Sequence, residues 1–217
     1  MTIPTRERIL RAAEDLYVLR GHDGFSFGDV AAAVGTTRAN IHHHFGNKRR
    51  LMAELLDRFA GDAEDRIRAN WAAPGWSFAR RMQAQCEDLF AFYRRFNPEG
   101  GTPNVWSPVA RVRLDLPALG DLAGPVLRRV NHAYDQALQD ALRDAIAAGE
   151  LRPDTAVGDI VRMLRITFLS CGPATQDSGS FEEVERLLRG MSKLVRTAWG
   201  TGAAPNAVDK AARRSGY

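Results

Sequence analysis

Cysteine is scarce: the chain of 217 residues holds two, Cys86 and Cys171, far apart and with no CxxC spacing. Neither a disulfide framework nor a cysteine zinc site is indicated, and a reducing cytoplasm is the expected compartment. Long apolar runs are missing as well, so no segment approaches the ~20 residues that span a bilayer, and no membrane partner is expected. The opening "MTIPTRERILRAAEDL" carries charges throughout and lacks a signal peptide's apolar core. Strand patterns are absent too. Nowhere do apolar and polar residues alternate over a strand's length between turn signals, whereas the helical period recurs from end to end. There is no GxSxG elbow, no P-loop, no GxGxxG after a strand and no internal repeat, and no cofactor is implied. Between Asp29 and Glu54 acidic residues are lacking, while Arg38, Lys48, Arg49 and Arg50 stand there. That local excess suggests a polyanion partner more than the formal net charge of +4 does.

What is present is a 45% apolar content, enough for a packed core. The expected fold is all-α. Ile9, Ala13, Leu16, Tyr17 and Arg20 share one face of a first helix, which Thr5 can cap and Gly21 can end. In "DGFSFGDVAAAVG", Ser26 and Asp29 have capping-box spacing, and Phe25 and Val30 stand at the positions of a hydrophobic staple. The helix so started is about two turns long. It turns Phe27, Val30, Ala31 and Val34 inward and stops at Gly35. Thr37 caps another short helix, Arg38 to Phe45, with Ile41 and Phe45 toward the core and Gly46 at its end. Asn47 then caps a longer helix through Leu51, Leu55, Phe59 and Ala63 that ends before Pro74-Gly75. Two short helices joined by a glycine turn and braced by longer ones read as a helix-turn-helix, whose second helix sits in the DNA major groove.

Beyond Pro74-Gly75 the helices lengthen. Phe78, Met82, Leu89, Tyr93 and Phe96 define one, broken by "NPEGGTPN". Pro108 and Pro117 leave a short helix and loops. A long helix over residues 121–148 carries Leu122, Val126, Val130, Ala133, Ala137 and Ala141 on one face. Asp154 is expected to cap a helix to about Ser170. Ser180 with Glu183 is expected to form a capping box for the last helix, which has Val184, Leu187, Leu188, Met191, Leu194, Val195 and Ala198 at helical spacing. The expected division is a helix-turn-helix DNA-binding domain at 1–60, a larger helical domain at 61–199, and a disordered tail at 200–217.

Three of the five histidines are consecutive, in "NIHHHFGNK". On a helix, His42, His43 and His44 fan about 100° apart and cannot close on one ion, because helical ligand pairs need i, i+3 or i+4 spacing. A metal-dependent hydrolase using His42 and His44 is the enzyme alternative, and it requires a strand. Nucleic acid suits the neighbourhood better. Thr37, Arg38, Ala39 and Asn40 occupy the cap and first turn of the presumed recognition helix, and Arg and Asn are the types that read guanine and adenine bidentately. Lys48 lies at the start of the next helix, where backbone amides and the dipole favour phosphate. His42 and His43 are expected to face DNA, with His44 packed inward. Phe90, Phe92, Phe96, Trp106 and Tyr134 are candidates to line an apolar cavity, with plain core as the alternative. A helical interaction protein without DNA affinity is a third reading.

The stretch "RERILRAAEDLYVLRGHDGFSFGDVAAAVGTTRANIHHHFGNKRRLMAEL" resembles the DNA-binding domain of the TetR (tetracycline repressor) family of bacterial transcriptional regulators. The likeness rests on the Ala-Ala of the first helix, Gly21, Ser26, Gly35-Thr36-Thr37, Ile41, His44-Phe45 and Asn47-Lys48, and spans residues 8–56. His42 stands where the family usually has a phosphate-contacting tyrosine, and Gly28 where some members place a contacting polar residue. Farther on, "AAGELRPDTAVGDIVRML" looks like the family's approach to its penultimate helix, and the last two helices resemble those that dimerise as a four-helix bundle. The resemblance implies a cytoplasmic homodimer that binds a palindromic double-stranded DNA operator. It also implies that the domain at 61–199 binds ligand and dimerises, with release from that operator when a small molecule, expected to be apolar, enters this C-terminal domain.

Overall fold

The computed structural model describes residues 4–98 and 104–202, which are built from helices. Apart from one isolated bridge between Leu151 and Gly200, the described residues hold no β pairing. The segment at 99–103 and the tail expected after residue 200, from 203 onward, lie outside the described residues.

Helix α1 (Thr5–Arg20) starts one residue earlier than its sequence suggests: Pro4 occupies the cap position and makes no side-chain cap bond. Proline holds an extended conformation and has no N–H of its own to satisfy, so Thr5 falls in the first turn instead of capping it. Gly21 ends the helix at φ 77°, its N–H returning to the Tyr17 carbonyl. Helix α2 (Phe27–Val34) has the full capping box: Asp29 N–H donates to Ser26 Oγ at 3.3 Å and Ser26 N–H to Asp29 Oδ2 at 2.8 Å. Gly35 closes it in the left-handed conformation. Helix α3 (Arg38–Phe45) is capped by Thr37 and α4 (Lys48–Trp71) by Asn47. These helices close around Ile9, Tyr17, Val30, Ile41 and Leu51, all buried.

Helix α4 then runs on without a break into the body. There it lies along α8 (Ala123–Ala147), which in turn packs on α9 (Val157–Ser178). Around this layer stand α5 (Phe78–Phe96), the short α6 (Pro108–Leu114) and α7 (Leu116–Leu119), and α10 (Glu182–Trp199). Trp71, Phe78, Leu138 and Leu142 form the dry centre, and Trp71 Nε1 donates to Gln85 Oε1 at 2.8 Å.

Two helix starts differ from expectation. Asp154 does not cap α9: its carboxylate accepts from Arg152 Nε at 3.1 Å, and the helix begins at Val157. Ser180 does not cap α10 either. Phe181 takes that place, packing on Phe90, Tyr93 and Trp106, while Glu183 pairs with Arg186 at 3.0 Å. Helix α9 also continues past residue 170, through Pro173, to Ser178. The N–H that proline lacks leaves the Leu169 carbonyl open, and Arg113 Nη1 from α6 donates to it at 3.3 Å.

Helix α6 joins the two halves. Arg111 donates to the Val18 and Leu19 carbonyls at the end of α1, at 3.1 and 3.3 Å, and His22 N–H donates to Asp115 Oδ2 at 2.8 Å. Gly21 permits this close approach, since a Cβ there would stand 3.2 Å from the Asp115 carboxylate. No described helix is long and apolar enough to cross a membrane.

Candidate nucleic-acid interface and interior cavity

The outer side of α3 is set by its two ends. At the start, Thr37 Oγ1 accepts from Asn40 N–H at 3.2 Å, and the Asn40 side chain donates to Thr36 Oγ1 at 2.9 Å. At the end, Gly46 at φ 71° turns the chain into α4. Ile41 and Phe45 anchor the inner side. Rotation about the axis then leaves Thr37, Arg38, Ala39, His42 and His43 exposed, with Asn40 and His44 half-buried. The His42 ring meets Phe27 edge-on at 5.8 Å between centroids, and His44 lies against His43 and Phe45. The three imidazoles thus point to different sides of one helix, the arrangement that a metal site on His42 and His44 would not tolerate.

Arg38 and Arg50 make no ion pair among the described residues, so their charge faces solvent, whereas Arg49 pairs with Asp121 at 2.5 Å and Arg20 with Asp29 at 3.3 Å. The Ser26 hydroxyl and backbone N–H hold the Asp29 carboxyl below its usual range. Lys48 is placed differently from the free phosphate ligand its position suggests. Its ammonium donates to the carbonyls of His22 and of Phe25, the latter at 2.6 Å, and lies 4.6 Å from the Phe25 ring centre. Burial holds its pKa below the ordinary lysine value, against the pull of Asp23, Asp29 and Asp115. Two of its three protons thus pin the loop before α2, and only the third can meet a phosphate. This packing of a charged side chain into a loop has no i, i+3 signal in the sequence.

The body encloses a cavity of about 50 Å³ between α4, α5, α6, α8 and α9. Of the aromatic residues expected there, Phe92, Trp106 and Tyr134 line it. Phe90 and Phe96 do not: Phe90 is 41% exposed and packs on Phe181, and Phe96 is buried behind Phe92. Sequence reasoning missed Arg66 and Asp88, which form the polar end of the cavity and face each other at 3.3 Å. The signal was there in the helical period, since Arg66 continues the inward row Phe59, Ala63 and Ile67, and Asp88 adjoins the inward Leu89.

A short helix capped by threonine, anchored from below and presenting unpaired arginine on its outer face, on a larger all-helical body, defines a helix-turn-helix protein. The sequence profile described as bacterial regulatory proteins, tetR family, matches residues 9–55. The match lies within α1 to α4, and by it this N-terminal domain is similar to the DNA-binding domain of that family. Over 53 residues it is 42% identical to the HTH-type transcriptional regulator TtgR of Pseudomonas putida, a match covering 24% of this chain and 25% of that protein. The chain thus matches about a quarter of the length of that curated relative. The HTH-type transcriptional repressor AcnR of Corynebacterium efficiens is 25% identical over 165 residues, covering 68% of this chain and 84% of its own. Among solved structures, reduced NemR of E. coli shares the fold with a TM-score of 0.73 at 17% identity, over 92% of this chain and 99% of that one. A TetR transcriptional regulator from Legionella pneumophila gives 0.71 at 18% identity, over 92% and 100% of the two chains. The whole described chain therefore has the fold expected from its sequence, an N-terminal helix-turn-helix followed by a helical body.

Proposed function

We propose that this protein is a cytoplasmic homodimeric transcriptional regulator, a repressor that binds a palindromic DNA operator and leaves it when a small molecule occupies the body. The observation that carries this reading is the outer face of α3, where Arg38 is exposed and unpaired beside Ala39, His42 and His43, while Ile41 and Phe45 fix the helix from below. In this reading residues 1–60 read DNA, and residues 61–199 bind the effector and dimerise. Arg38 and Asn40 contact base edges from the first turn, with Thr37, His42, His43 and the start of α4 at Lys48 on phosphates.

Dimerisation is supported by apolar side chains left in solvent on two adjoining helices: Met163 and Ile166 on α9, Leu187 and Leu194 on α10. A second copy with the same patch covers them by two-fold symmetry and pairs two recognition helices with two half-sites. The cavity lined by Phe92, Trp106 and Tyr134 supports an effector with an apolar part.

The test is a titration of labelled DNA from the region beside its own gene, against scrambled DNA of equal length, at several salt concentrations. The expected result is tighter binding to the upstream DNA, with affinity falling steeply as salt rises. Equal affinity for both, or none for either, overturns the reading.

A further inference from the structure

The cavity has an apolar wall, which includes Phe59, Leu89, Trp106 and Phe168, and a polar end whose hydrogen bonds do not close. Arg66 lies over the Phe92 ring at 4.6 Å, and its Nε faces Asp88 Oδ1 at 3.3 Å without completing a hydrogen bond. Gln85, 1% exposed, accepts from Trp71 through its Oε1 and turns its amide toward the Tyr134 hydroxyl. The Arg66 Nε is thus a buried donor whose acceptor is poorly placed, and such a donor is destabilising. Burial pushes the Asp88 carboxyl above its usual range, against the pull of Arg66 and the polar contacts of Arg66 and Asn70. Burial also keeps the Tyr134 phenol protonated, as a further donor.

Arg66 stands at a boundary. With Phe59 and Phe92 it lines both the inner cavity and an outer groove of about 520 Å³ between α1, α4 and α5. The other arginines of that groove are well paired: Arg58 with Glu7 at 2.7 Å, Arg95 with Asp15 at 2.6 Å, Arg11 with Glu7 at 2.8 Å. Arg66 alone among them combines a loose partner with a cavity behind it. At about 50 Å³ the cavity is too small for a ring, and the half-buried Phe92 is the wall that has to turn aside.

Resting on the effector-responsive reading above, we propose that the effector is a small aromatic carboxylate, with its ring in the apolar cavity and its carboxylate on Arg66. An amine would bring only more donors to a site already short of acceptors, whereas a carboxylate is acceptor-only and takes charge-assisted bonds from arginine. The Tyr134 hydroxyl, which lines the same cavity, is the neighbouring donor that orients it.

Calorimetric titration of the full chain with benzoate, benzamide, benzylamine and toluene at fixed ionic strength tests the proposal. Benzoate is expected to bind at least about tenfold more tightly than each of the other three, the scale of one charge-assisted hydrogen bond. The double variant Arg66→Gln, Asp88→Asn keeps the shape and removes both charges. It should bring benzoate down to the affinity of benzamide and leave toluene unchanged. Should that variant fail to fold, Tyr134→Phe, which removes one cavity-lining hydroxyl, is expected to weaken benzoate several-fold more than toluene. Benzamide, benzylamine or toluene binding as tightly as benzoate overturns the proposal, and so does the absence of benzoate binding at tens of millimolar. DNA titration of the same sample separates the two readings. Upstream DNA bound without benzoate binding removes this site and keeps the regulator. Benzoate bound without DNA binding does the reverse.

Discussion

Helices α3 and α10 both turn a face away from the core, and the two faces have opposite chemistry. On α3 the outward residues are Arg38, Ala39, His42 and His43. On α10 they include Leu187, 40% exposed, and Leu194, 62% exposed. An arginine in water is well solvated, so the α3 face is stable alone and waits for an anion without penalty. Exposed leucines next to exposed Met163 and Ile166 gain free energy only when covered. In the proposed dimer the difference implies an order of events, with the α10 face covered first and the two α3 faces meeting DNA as a pair.

The largest effect should come from attacking the apolar face. Leu194→Glu would place an unpaired charge at the seam and weaken the dimer by about 3 kcal/mol, roughly a hundredfold, read by sedimentation across protein concentration. The same change at Leu188, 2% exposed within its own monomer's core, should unfold the chain instead. A Leu194→Glu protein that sediments as wild type would end the comparison.

On the α3 side, Arg38→Ala should cost about 1 to 3 kcal/mol on the operator and relax preference at one base pair. Lys48→Met should instead lower the thermal midpoint, because the His22 and Phe25 carbonyls lose their donor. If Lys48→Met flattens the salt slope and leaves stability intact, its ammonium serves phosphate after all.

Ser26→Ala should destabilise the domain by about 1 kcal/mol, the usual effect of losing a helix cap, measured by urea unfolding. The same variant tests the acid side. Asp29 has a lowered carboxyl pKa in the folded state, so its contribution is present above the ordinary carboxylate range and is lost as pH falls through the lowered value. Wild type should therefore lose stability below about pH 4 more steeply than Ser26→Ala. Parallel curves would show that the capping box is not the source.

The smallest change is expected from His42→Tyr, which exchanges an imidazole for a phenol that can still donate to phosphate. A loss as large as that of Arg38→Ala would mean that the imidazole itself reads the DNA.

The same contrast explains how much could be read from the sequence. The caps Ser26, Thr37 and Asn47 were legible because each acts three residues down its own chain. The extent of α9 was not, because Pro173 is tolerated only through the bond that Arg113 brings from another helix. Asp154 and Ser180 had cap-like spacing, but Arg152 took one carboxylate, and Phe181, held by its aromatic neighbours, took the cap position of the other helix. Residue type alone points to aromatic side chains for the cavity wall; Phe92, Trp106 and Tyr134 line it, and Phe90 and Phe96 do not. Arg66 and Asp88 were overlooked because charges on long helices usually face water. On the α3 face, the outward placing of Arg38, His42 and His43 followed from the positions of Ile41 and Phe45, whereas the half-buried Asn40, tied to Thr36, did not.

The joint at Gly21 has a mechanical consequence. The end of α1 meets α6 without a flexible linker, through two guanidinium bonds and one carboxylate bond across a contact that a methyl group would crowd. Such a joint has little compliance. The first turn of α6 borders the cavity at Pro108 and Val109, so a displacement of α6 by a bound molecule would be passed to the end of α1 through those bonds. In the proposed regulator, the stiffness of one glycine-sized contact would govern how much of a small expansion inside the body reaches the helix-turn-helix domain.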